Sequence, residues 1–172
     1  GNGSMSDAIQ CLDYARVKGA KIINASWGST NASTLLNSAI DRARQAGIIF
    51  VASSGNEGLN NDVQPVYPAN SAYDNIVAVT ATTRIDSFYP FGNYGPASVD
   101  LAAPGSAIVS TWFTGDTQYA TSSGTSMAAA YVSGALALVR ARFPDATCRQ
   151  LIDRVLTNTT PLVSLADKCA TG

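Results

Sequence analysis

The segment Ser123-Gly124-Thr125-Ser126-Met127-Ala128-Ala129 places two hydroxyls after a glycine and before a long apolar run. In the first turn of a helix, backbone N–H groups lack intrahelical acceptors and favour developing negative charge. The preceding glycine permits close backbone approach. That setting suits a serine nucleophile whose attack creates an oxyanion. The plain alternative is that Thr125 or Ser126 caps the helix. A second segment, Ser54-Gly55-Asn56-Glu57-Gly58, follows the apolar run Ile48-Ile49-Phe50-Val51-Ala52. An amide at the end of such a strand could donate a hydrogen bond to an oxyanion, or simply occupy a Gly-rich turn. A third, Asn24-Ala25-Ser26-Trp27-Gly28-Ser29, could line a pocket for a peptide side chain, or form an ordinary strand and turn.

Composition narrows the chemistry. The 172 residues include no histidine, so this chain supplies no imidazole base, histidine metal ligand or histidine pH switch. Eleven basic and twelve acidic residues give a net charge of -1, without a basic stripe, so nucleic-acid binding is not expected. No run of 18 apolar residues exists and no membrane partner is expected. No signal-peptide pattern stands at Gly1. Cys11, Cys148 and Cys169 fit no metal spacing; Cys148 could pair with Cys169, or all three could be free thiols. Asn2, Asn24, Asn31 and Asn158 open N-glycosylation tripeptides, of which Asn24 is expected to be buried in a strand.

The elements that must position these segments follow from periodicity. Helices are predicted over about 6–18, 33–46, 125–142 and 148–156, and apolar strands over 21–28, 48–52, 76–81 and 99–103. Short β segments are predicted near 108–111 and 118–121. The 125–142 helix is Ala-rich and apolar nearly all round, which predicts deep burial. Apolar strands alternating with helices predict an α/β fold, a parallel sheet with helices on both faces. Ligands of such sheets bind at the carboxyl ends of the strands, where all three polar segments fall.

The joint pattern resembles the subtilisin-like serine proteases, the subtilases. It is carried by Ser26-Trp27-Gly28, Gly55-Asn56-Glu57-Gly58, Tyr67-Pro68-Ala69, Asp100-Leu101-Ala102-Ala103-Pro104-Gly105 and Gly124-Thr125-Ser126-Met127-Ala128, over nearly the whole chain. The resemblance implies a serine endopeptidase acting on peptide or protein substrates by acyl transfer, and a secreted protein. It implies Ser126 as nucleophile, with the Asn56 amide and the Ser126 N–H as oxyanion donors. Ser26, Trp27 and Gly28, with Ala52, Ser53, Ser54 and Gly55, would border the S1 pocket. Gly1 and Gly3 resemble the tail of the segment that pairs with substrate backbone. Tyr67-Pro68 matches a position often cis in the family. The chemistry requires no cofactor; the resemblance implies a place for a structural Ca²⁺ or Na⁺ at Asp100, the alternative being that Asp100 caps or pairs locally.

Two departures matter. Ala130 and Tyr131 stand where the family usually has Pro and His, which keeps a transpeptidase or macrocyclase of the same fold as an alternative. The triad Asp and His of the family precede the serine, and this sequence contains neither of their motifs. The resemblance therefore implies that residues 1–172 are the serine-bearing part of a catalytic domain, incomplete on its N-terminal side. It predicts negligible peptidase activity for the chain alone. It also predicts a sheet edge at Ile22–Ser26 and an uncovered apolar patch on the long helix. A companion N-terminal part, or self-association through that edge, is the expected partner. A non-catalytic peptide-binding relative is the other alternative.

Overall fold

The computed structural model describes residues 3–171. Helix α1 (Met5–Val17) starts where the Ser4 hydroxyl accepts the Asp7 N–H at 3.1 Å, and α2 (Thr34–Gln45) where Ser33 accepts from Leu36 at 3.2 Å. Strands β1 (Ile22–Ala25), β2 (Ile49–Ser53), β3 (Ile76–Thr82) and β4 (Leu101–Pro104) form a parallel sheet in the order β1-β2-β3-β4. Pairs Ile22–Ile49, Phe50–Ile76 and Val79–Leu101 set its register. Strands β5 (Ile108–Thr111) and β6 (Tyr119–Ser122) make a separate antiparallel ribbon. Helix α3 (Thr125–Arg142) is followed by α4 (Cys148–Leu156), which begins in a Thr147/Gln150 capping box.

The sheet is covered on both faces because its strands alternate two apolar sets. Ile49, Val51, Val77 and Val79 pack against Ala128, Val132 and Leu136 of α3 and Leu151 and Ile152 of α4. Phe50, Ala52, Ile76 and Ala78 pack against Leu12 of α1 and Leu36, Ala39 and Ile40 of α2. Every residue of β2 and β3 is buried, as expected for a doubly covered parallel strand.

Several expectations are corrected. The first strand is four residues, Ile22–Ala25, with Ser26, Trp27 and Gly28 of the predicted strand-and-turn segment beyond its end, and the fourth starts at Leu101 rather than Val99. The α3 helix has the predicted length but is not buried all round. Its sheet-facing residues are buried, while Ala130, Tyr131, Ala135 and Leu138 are exposed, Leu138 at 75%. This face lies open because β1 is a sheet edge, paired on one side only, by β2. For the same reason Asn24 is exposed, not buried; its side chain takes the Ser133 hydroxyl at 2.9 Å and donates to the Ser26 hydroxyl at 2.8 Å. All three cysteines are free, including Cys148 and Cys169.

Candidate active site

The carboxyl ends of β1 and β2 and the start of α3 converge on one cleft. Its walls include Ser26, Trp27, Gly28, Ser53, Gly55, Asn56 and Ser126, joined by Ser29, Thr30, Glu57 and Val66. Neither hydroxyl at the helix start serves as a cap. The N-cap residue of α3 is Gly124, which has no side chain to offer. Ser126 Oγ instead donates to the Ser26 carbonyl at 3.3 Å, and Ser26 Oγ donates back to the Ser126 carbonyl at 2.8 Å. This reciprocal pair ties the end of β1 to the first turn of α3, one hundred residues away in sequence.

Thr125 is fully buried and does the remaining work at the helix start. Its N–H donates to Asn56 Oδ1 at 2.8 Å, and its hydroxyl donates to the Gly55 carbonyl at 3.1 Å. The first orphan N–H of the helix is thereby satisfied from another loop. The bond also orients the Asn56 amide. With Oδ1 committed to a donor, the NH₂ is the face left for a developing oxyanion. Gly124 makes this approach possible: at φ +148° a Cβ there would lie 2.9 Å from Asn56 Oδ1.

Not every expected pocket residue reaches the surface of the cleft. Ala52 is fully buried in the core on the α1–α2 side of the sheet. Ser54 is also fully buried, its hydroxyl donating to the Asn93 carbonyl at 2.9 Å. Gly3 lies on a neighbouring, more apolar cleft with Met5, Ala8 and Cys11; Trp27, Gly28 and Ser29 border both clefts. Gly1 falls outside the described residues. The Tyr67–Pro68 bond is cis, and Tyr67 exchanges two 2.8 Å backbone hydrogen bonds with Ser29 beside the cleft. Thr125 was visible to sequence reasoning only as a capping alternative, and Asn93 and Asn61 not at all. Asn93 sits in Gly92-Asn93-Tyr94-Gly95, which reads locally as a turn and carries no chemical signal.

Asp100 lies on a different cleft, with Asn70, Ser71, Asp74 and Arg149. Burial pushes its carboxyl above the usual range; the 2.7 Å bond from the Ala78 N–H and the Arg149 charge oppose this. Asn70 Oδ1 is already used by the Val66 N–H, and the Ser71 hydroxyl bonds Asn37. Among the described residues no three His, Cys, Asp or Glu side chains gather as a metal site. A hard cation here would draw on the Asp100 and Asp74 carboxylates that line the cleft, completed by backbone carbonyls.

Sheet, helix start and amide define a doubly covered parallel α/β domain with a serine-and-asparagine cleft at its strand ends. A sequence model described as the subtilase family matches residues 1–170, and the chain belongs to that family. It is 38% identical over 158 residues to a thermostable alkaline protease of Halalkalibacterium halodurans, covering 90% of this chain and 41% of that protein. It is 33% identical over 163 residues to subtilisin DY of Bacillus licheniformis, covering 94% and 58% respectively. A crystal structure of a cold-adapted subtilisin-like serine proteinase superposes with a TM-score of 0.87 at 33% identity, over 99% of this chain and 62% of that one. The chain thus spans less than two thirds of these relatives. No helix among the described residues is long and apolar enough to cross a membrane.

Proposed function

We propose that the protein is a serine endopeptidase in which Ser126 is the nucleophile and Asn56 an oxyanion donor. The observation that carries this reading is the Asn56 Oδ1 bond to the Thr125 N–H, which turns an amide donor toward the cleft that Ser126 borders. In the reaction, Ser126 Oγ bonds to the substrate carbonyl carbon and its proton passes to a base. The carbonyl oxygen becomes an oxyanion held by the Asn56 NH₂ and by N–H groups of the α3 first turn. The proton then leaves with the amine, and water releases the acyl group from Ser126.

This chain has no histidine, and among the described residues Ser126 Oγ meets only a carbonyl acceptor, so the base comes from a companion part. The open edge of β1 and the exposed Tyr131–Leu138 face of α3 support docking of that part there. An extracellular location is part of the same proposal. It is supported by the similarity to an extracellular serine proteinase of a Thermus species, 40% identical over 165 residues. A structural Ca²⁺ or Na⁺ beside Asp100 is proposed as well, supported by its buried carboxylate.

The lack of histidine favours one competing reading, a peptide-binding relative without turnover. Fluorophosphonate labelling of the whole protein, read by intact mass, separates the two. One adduct, absent in Ser126→Ala, is expected; a folded protein that acquires no adduct overturns the peptidase reading.

A further inference from the structure

The turn that carries Asn56 has no regular secondary structure to hold it, yet its backbone is tied throughout. Asn93 Oδ1 accepts the Glu57 N–H at 2.9 Å and the Leu59 N–H at 3.1 Å. The Asn93 N–H donates to the Gly55 carbonyl at 2.9 Å. Asn93 Nδ2 donates to Asn61 Oδ1 at 3.0 Å, and Asn61 Nδ2 donates to the Ser54 carbonyl at 2.9 Å. Asn93 and Asn61 are 0% and 1% exposed, so water does not compete for these bonds. The turn is shaped for this partner: Gly55 has φ +113°, and a Cβ there would lie 2.4 Å from Asn93 Nδ2.

We infer that Asn93, oriented by Asn61, is a positioning residue that sets where Asn56 presents its amide to the cleft. It flanks Asn56 on both sides, bonded to the Gly55 carbonyl and to the Glu57 N–H. Its carboxamide is the right group because one oxygen must accept two backbone donors while the nitrogen beside it donates. Asn61 fixes which end of that amide faces the turn. The register of Asn56 against Thr125 therefore depends on a side chain 36 residues from Glu57 in sequence. The inference rests on the role proposed for Asn56, but its test needs no turnover.

Residue-resolved amide hydrogen exchange on the whole protein measures it. In Asn93→Ala the Glu57 and Leu59 amides should exchange about tenfold to a hundredfold faster, the scale of a lost buried hydrogen bond. The Thr125 amide, whose acceptor is Asn56 Oδ1 and not Asn93, should accelerate at least tenfold because that oxygen shifts. Val51 and Val79 in the sheet should keep their wild-type rates. Unchanged exchange at Thr125 overturns the positioning role, and equal acceleration at Val51 and Val79 reduces Asn93 to a stability residue. If Asn93→Ala does not fold, Asn61→Ala carries the test. It should accelerate the same three amides at least threefold, and wild-type rates at Thr125 again overturn the inference. A protein that hydrolyses nothing still yields these rates, so loss of the peptidase reading is distinguishable.

Discussion

The role proposed for Asn56 gives it two separable jobs, and two substitutions divide them. Its Oδ1 accepts the N–H of fully buried Thr125 at 2.8 Å, and on the proposed reading its NH₂ donates into the cleft that Asn56 lines. Asn56→Ala removes both. The Thr125 hydroxyl keeps the Gly55 carbonyl at 3.1 Å, so the orphaned group is a single N–H. An unsatisfied buried donor costs about 1–3 kcal/mol, which for a domain of this size lowers Tm by roughly 2–4 °C per kcal/mol. Asn56→Asp keeps an acceptor oxygen, and its charge sits favourably at the start of α3. Its stability should change by no more than about 0.5 kcal/mol. Both variants lack the NH₂ donor, so fluorophosphonate labelling of Ser126 in the whole protein should slow about 10²–10³-fold, the range already known in the subtilase family for losing one such donor. Calorimetry and the time course of labelling by intact mass give the two readouts. If Asp destabilises as much as Ala, the Thr125 contact is not what Asn56 contributes. If either variant labels at the wild-type rate, the amide does not face the oxyanion.

Two further outcomes follow from burial. Leu136 is fully buried under the sheet and Leu138, two positions on and on the opposite face of α3, is 75% exposed; chemical denaturation should show a loss of about 2–5 kcal/mol for Leu136→Ala and under about 0.5 kcal/mol for Leu138→Ala. If the companion part covers that face, Leu138→Asp weakens association in sedimentation while leaving the uncomplexed fold intact. Asp100 titrates above its ordinary value of 3.8 because it is buried. Its favourable contribution is therefore complete below pH 3.8 and lost as pH rises through the raised folded value. At pH 7 without divalent cations, Asp100→Asn should raise Tm, an advantage that vanishes near pH 3. In millimolar Ca²⁺ the order should reverse if a cation binds there; identical melting with and without Ca²⁺ and Na⁺ removes the cation from the proposal.

Much of the fold was legible because apolar patterning is local. Helices α3 and α4 fall on the predicted ranges, and the buried runs of β2 and β3 read directly as doubly covered parallel strands. The site was legible as three polar segments placed where such a sheet binds ligands. Pattern could not say how much of α3 is covered, since burial depends on which strand stands beside β1 rather than on α3's own residues. The same is true of Asn24, which looks like a core position and is exposed at the edge.

The sequence alone determined the chemistry on offer: a hydroxyl at a helix start, an amide at a strand end, and no histidine anywhere. Only the tertiary structure decided what those groups are bonded to. It turned Thr125 from a capping alternative into the clamp on Asn56, and Asn93 from a turn residue into the support of the Asn56 turn. The bonds concerned join residues 34 to 70 positions apart. A local pattern reports propensity and periodicity; which donor meets which acceptor across that separation is settled by sheet register and helix packing.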